Sequence, residues 1–161
     1  MGKRLLSKEM NTTGVCANII YDNTFIMKPL QWEVDYYGDY VSFSNLLGET
    51  LTEISVNEDK TEILFISKNQ AWAMFHDQNC CESVEIDDIV GDLEDLIGSP
   101  ILMAEEAISR MSHDAKKEED SFTWTFYKLA TVKGYVTIKW FGTSNGYYSE
   151  SVDFRIAKLK E

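Results

Sequence analysis

Residues 121–154 read SFTWTFYKLATVKGYVTIKWFGTSNGYYSESVDF, a run in which aromatic and β-branched residues alternate with polar ones. Phe122, Trp124, Phe126, Ala130 and Val132 share one parity, interrupted by Lys128, which is the period of a half-buried strand. Lys133-Gly134 supplies a turn into a second strand with Val136, Ile138 and Trp140 on one face. Asn145-Gly146 is a stronger turn signal, because both residues tolerate positive φ, and it leads into a third strand carrying Tyr148, Val152 and Phe154. Three consecutive strands with matched apolar faces predict a twisted antiparallel sheet.

Outward from this run the pattern changes. Ile89, Leu93, Leu96 and Ile97 fall at i, i+4, i+7 and i+8, with Asp87 or Asp88 as N-cap and Gly98 as stop, so a short helix is expected to pack on the sheet. Residues 100–107 fit a strand or a second helix, and the polar run 109–120 fits a loop. Between residues 50 and 76, three short segments separated by turn residues at 57–60 and 68–69 predict an antiparallel meander. The expected class is α+β, an antiparallel twisted sheet with one or two short helices. Residues 15–21 and 25–43 are rich in β-formers without clean alternation. Residues 1–45 therefore read as an N-terminal arm or small strand subdomain, and 46–161 as the sheet-plus-helix domain.

The chain has 161 residues, 44% of them hydrophobic and 12% aromatic, enough to bury a core. It carries 15 Lys and Arg against 27 Asp and Glu, a formal net charge of -12 that opposes direct attraction to nucleic acid or an anionic membrane. The imbalance is regional: residues 82–120 hold 13 acids against three bases, a net of -10, while the remainder holds 14 acids and 12 bases. No apolar run reaches signal-peptide or membrane-spanning length, so a soluble, cytoplasmic protein is expected. Three cysteines, Cys16, Cys80 and Cys81, are too few for a disulfide framework and are expected to stay reduced.

His76, Asp77, Cys80, Cys81 and Glu82 form the sole local cluster of imidazole, carboxylate and thiol groups. Adjacent cysteines do not reproduce the spaced pairs of a zinc site, and Asp77 and Glu82 disfavour a thiolate nucleophile. The loop reads as structural or as part of a binding surface, with no metal and no cofactor. Seven acids and no base lie between residues 82 and 95, without the ligand spacing of an EF-hand. Asp92, Glu94 and Asp95 either solvate a helix face or meet a basic partner. Tyr147 and Tyr148, after the Asn145-Gly146 turn, offer an aromatic patch for stacking on a base or a protein surface. G-x-S-x-G, Walker A, dinucleotide-binding and H-E-x-x-H motifs are all missing, so no catalytic residue is assigned and a non-enzymatic role is expected.

Four blocks in order, residues 76–82, 91–102, 123–128 and 144–150, resemble a family of small proteins of unknown function common in bacteriophages and related mobile elements. The similarity covers residues 46–154 and carries no activity. It implies a phage-encoded accessory protein. The expectation is a protein that binds and inhibits a host protein with a basic surface, in its most specific form an anti-CRISPR or other anti-defence inhibitor occluding the nucleic-acid site of a nuclease. The competing expectations are a sponge for a nucleotide signal, with Lys128, Lys133 and Lys139 as its cations, and a small hydrolase.

Overall fold

The computed structural model describes residues 32–112 and 121–161. Among these residues nine strands are formed: β1 (Val34–Tyr40), β2 (Leu51–Val56), β3 (Glu62–Ser67), β4 (Ala71–Phe75), β5 (Ser83–Val90), β6 (Met103–Ser112), β7 (Ser121–Ala130), β8 (Tyr135–Ser144) and β9 (Asp153–Leu159). One sheet has the order β1-β9-β4-β3-β2 and the other β5-β8-β7-β6, with every strand pair antiparallel. Their facing sides share one core. Ile54, Phe65, Trp72, Met74 and Phe154 from the first sheet meet Ile86, Tyr127, Leu129, Ile138 and Trp140 from the second. The Trp140 indole N–H points at the Met74 sulfur, 3.1 Å away. A smaller apolar cluster of Leu64, Ala71, Ala73 and Ala157 lies on the far face of the five-stranded sheet, with Tyr37 and Phe75 packed against it.

The class is therefore an all-β sandwich, which corrects the expected α+β fold. The expected helix is replaced by strand β5 and a single 3-10 turn, Leu93–Leu96. Within β5 the buried Val84 and Ile86 alternate with exposed Glu85 and Asp87, so a strand period competes with the helical stripe in the same residues. Pairing with β8 decides the contest, and a bulge between Ile86 and Asp88 resets the phase. Gly91 then forbids a continuous helix: its φ is +105°, and a Cβ there would run into the Tyr135 carbonyl. Leu93 and Leu96 are still buried, because a spacing of three also suits one 3-10 turn, which Asp92 caps by accepting from the Glu94 amide at 3.0 Å.

The meander of β2, β3 and β4 forms as the sequence predicts. Its first turn is held by the Asn57 side chain, whose Oδ1 accepts from the amides of Thr61 and Glu62. Two other expectations change. Residues 109–112 are not loop but the end of β6, paired with β7 through Ser112↔Ser121. After Asn145-Gly146 the chain does not return beside β8; it crosses to the other sheet, where β9 pairs with β4 and β1. The arm expected over residues 15–21 and 25–31, and the loop at 113–120, lie outside the described residues. β1 hydrogen-bonds β9, and Phe43 and Leu46, in a 3-10 turn after it, enter the main core. Among the described residues no helix is long and apolar enough to cross a membrane.

Candidate functional site

Among the described residues the chain passes from one sheet to the other twice, through residues 76–82 and 145–152. The first crossover contains the His76 to Glu82 cluster. Glu82 is buried, and its carboxylate accepts from the amides of Asn79, Cys80 and Cys81 and lies 3.1 Å from His76 Nε2. The Asn79 amide does most to hold the carboxyl down, to about 2, with His76 and the Cys80 amide assisting against the cost of burial. Asp77 is exposed, and its amide donates to Asp153. Cys80 and Cys81, expected to remain as thiols, are joined in a vicinal disulfide. Among the described residues no group of three or more His, Cys, Asp or Glu side chains is placed to hold a metal ion. Glu82 spends both oxygens on the loop's own amides, so this cluster shapes the crossover.

The five residues expected to meet a partner fall at two ends of the sandwich. Asp92, Glu94 and Asp95 follow β5 at one end, whereas Tyr147 and Tyr148 follow β8 at the other. About 20 Å of strand separates them, at roughly 3.3 Å per residue. Tyr147 is 86% exposed and meets the half-buried Tyr148 edge-on, with ring centroids 5.2 Å apart. Asp92 and Glu94 are exposed, while Asp95 is half-buried, with its carboxylate over Gly134 and its carbonyl accepting from the Thr131 hydroxyl.

A third surface was hidden in the sequence. The predicted buried parity of β7 faces outward, and Thr123, Thr125, Tyr127 and Leu129 face the core instead. Phe122, Trp124 and Phe126 thereby come to the outer face of the four-stranded sheet together with Phe141 of β8. Trp124 and Phe141 are direct cross-strand partners with ring centroids 4.4 Å apart, and Trp124 stacks with Phe126 at 6.5 Å. Lys139 lies 5.0 Å from the Trp124 ring centroid and is ion-paired with Asp87 at 3.1 Å. The edge strand β5 borders this cluster with three exposed acids. Glu85 stands opposite Phe141, and Asp88 opposite Lys139, with Asp87 in the bulge between. An aromatic centre beside an acidic rim can bury apolar area against a partner while its carboxylates take up that partner's cations.

The family described as "Domain of unknown function (DUF7448)" matches residues 44–154. The chain belongs to this family. The DUF7448 match contains the whole outer aromatic face, the acidic edge and both crossovers, so these features lie in the family's own domain and not in an appendage. It agrees with the resemblance to a family of unknown function and carries no phage or mobile-element source. No curated protein and no solved structure matches the chain.

Proposed function

We propose that this DUF7448 domain is a non-catalytic binding module that docks on a basic surface of a partner protein. The observation that carries this reading is the Phe122, Trp124, Phe126 and Phe141 cluster on the outer sheet face, bordered by Glu85, Asp87 and Asp88. Aromatic side chains bring large apolar area at small entropic cost, and such residues dominate the binding energy of protein interfaces. The carboxylates add attraction that reaches about 8 to 10 Å at ordinary salt, and so act mainly on the association rate. In its finer form the partner is a host nuclease of a CRISPR or related defence system, and the domain inhibits it by covering the groove that receives nucleic acid. The net charge of -12 and the resemblance to phage proteins support that form.

A nucleotide-binding reading is favoured by one observation: Lys139 and Trp124 stand side by side, a cation next to a ring on which a base can stack. Its weakness is that Lys139 is already paired with Asp87.

Comparative capture from host lysate, read by quantitative mass spectrometry, tests the proposal with wild type, Trp124→Ala, and a Glu85→Gln, Asp87→Asn, Asp88→Asn triple variant. Loss of one specific basic partner in both variants, with capture by wild type weakening as salt rises, is the expected result. Equal capture by all three proteins removes the outer face from the function.

A further inference from the structure

Among the described residues β1, β2, β5 and β6 are the outermost strands of their sheets. An outer strand offers backbone donors and acceptors to any further strand, and proteins blunt it with bulges, prolines or charges. The registers of β1, β2 and β5 are each broken by a shift, whereas β6 runs opposite β7 from Met103↔Ala130 to Ser112↔Ser121 without one. It contains no proline. Among the described residues no turn or loop hydrogen-bonds its outer side, unlike β5, where the Ile86 amide donates to the Lys60 carbonyl. Glu105, Glu106, Ala107 and Ile108 are all exposed although alternation sends them to opposite faces, so the middle of this strand is open above and below. Ile108 is 51% exposed.

The order of residues in β6 is self-complementary. Directly opposite residues in a sheet share a face, so a two-fold pairing of β6 with a second β6 is antiparallel and centred on a single residue. Of residues 105–109, only Ile108 as the centre brings opposite charges into register. Glu106 then stands opposite Arg110 of the second copy, and Arg110 opposite its Glu106. Centring on Glu105 or Glu106 would set that acid against itself. Around Ile108, Glu105 falls opposite Met111, and the two Ile108 residues meet at the axis. Opposite charges and apolar residues placed directly across a strand pair both stabilise it.

We propose that two copies of the chain pair through β6, in the register centred on Ile108, so that their second sheets become one. The axis stands perpendicular to the joined sheet, which leaves both outer faces on the same side. Ala107 and Ser109, the partners of Phe126 and Trp124 in β7, then meet the second copy's Ser109 and Ala107. Small residues thereby floor a channel between two aromatic clusters, whose β7 strands stand about 14 Å apart, three strand spacings. A partner spanning the channel engages both clusters and gains by avidity, while the pairing itself does not depend on what the clusters bind.

The test is sedimentation of the full-length chain at a fixed salt of about 0.15 M. A monomer–dimer equilibrium with a midpoint below about 300 µM is expected, the range of a small, transient interface. Ile108→Lys, which sets two cations together at the axis, should weaken it at least about tenfold with an unchanged melting curve. Glu106→Lys should weaken it about three- to tenfold, and adding Arg110→Glu should restore it to within about threefold of wild type. Crosslinking in a Cys16→Ser background reads the register. Ile108→Cys places the new thiol opposite itself within disulfide reach, so mild oxidation should give covalent dimer at least about tenfold faster than with Glu105→Cys. A chain that stays monomeric to about 500 µM, wild-type affinity in Ile108→Lys, no recovery in a double variant that melts like wild type, or equal crosslinking at the two positions overturns the proposal.

Discussion

His76 Nδ1 lies 2.7 Å from the carbonyl oxygen of Ser151, which ties together the two crossovers between the sheets. Its other nitrogen lies 3.1 Å from the Glu82 carboxylate. Both neighbours are oxygen acceptors, so the imidazole links the two crossovers through its two ring nitrogens. The Glu82 carboxyl, lowered to about 2, contributes stability that is fully present above its ordinary value of 4.5 and is lost as pH falls from 4.5 towards 2. Asp153 and Glu106 act in the opposite sense: both are raised by burial, so they cost stability as pH rises through their folded values. Urea midpoints measured across acidic pH should fall steeply below 4.5, and Glu82→Gln should flatten that fall while lowering the neutral-pH midpoint. A parallel curve for the variant would show that the carboxylate does not stabilise the crossover.

The two faces of the second sheet should respond differently to truncation. Trp140 is 1% and Ile138 0% exposed, so replacing either by Ala removes packing from the middle of the sandwich and should cost about 2 to 5 kcal/mol. Trp124→Ala, on the outer face, should cost no more than about 1 to 2 kcal/mol and act on partner capture instead. Similar urea midpoints for Trp124→Ala and Trp140→Ala would contradict the assigned faces.

Glycine is required at position 91 for two reasons and at position 48 for one. Gly48 has φ +82° with nothing near its missing Cβ, so Gly48→Ala should cost about 1 kcal/mol of backbone strain. Gly91 adds a collision with the Tyr135 carbonyl, and its Ala variant should lose clearly more than that. Thermal melts of the pair separate strain from clash.

Neutralising the turn after β5 tests its charge apart from its shape. In the combined Asp92→Asn, Glu94→Gln, Asp95→Asn protein, Asn keeps an acceptor at the cap, so folding should change by less than about 0.5 kcal/mol per site. Association with a basic partner should slow more than dissociation accelerates, and the difference should shrink at high salt. Stopped-flow rates at two salt concentrations measure it. Rates equal to wild type would make this turn a solubilising surface only.

The β7–β8 hairpin shows what the sequence contained and what it concealed. Its strands and its Lys133-Gly134 turn are legible because period-2 alternation and turn residues are local signals. The face assignment is not local. The pair Ala130↔Tyr135 joins an even-numbered residue to an odd one, so burying Val136, Ile138 and Trp140 forces Leu129, Tyr127 and Thr125 inward. Reading Trp124 and Trp140 as core together was incompatible with that register, which the two strands' patterns could have revealed when combined. β5 misled for another reason: Ile89, Leu93, Leu96 and Ile97 satisfy a helical stripe by coincidence, and pairing with β8 overrode it. The buried Glu150 carboxylate, which accepts from the Ser121, Thr123 and Ser144 hydroxyls, had no sequence signal. Ser121, Thr123 and Glu150 are brought together by a crossover between sheets, which no spacing along the chain encodes.

The acids of β5 also bear on what the molecule avoids. β5 is an outer strand of its sheet, and apart from the Ile86 amide, which donates to the Lys60 carbonyl, its backbone groups directed away from β8 could meet a further strand. Glu85, Asp87 and Asp88 place like charges along that edge, so a second copy approaching it meets repulsion before it can hydrogen-bond. Salt screens those carboxylates beyond about 8 to 10 Å, so edge-to-edge association through β5 should rise with ionic strength.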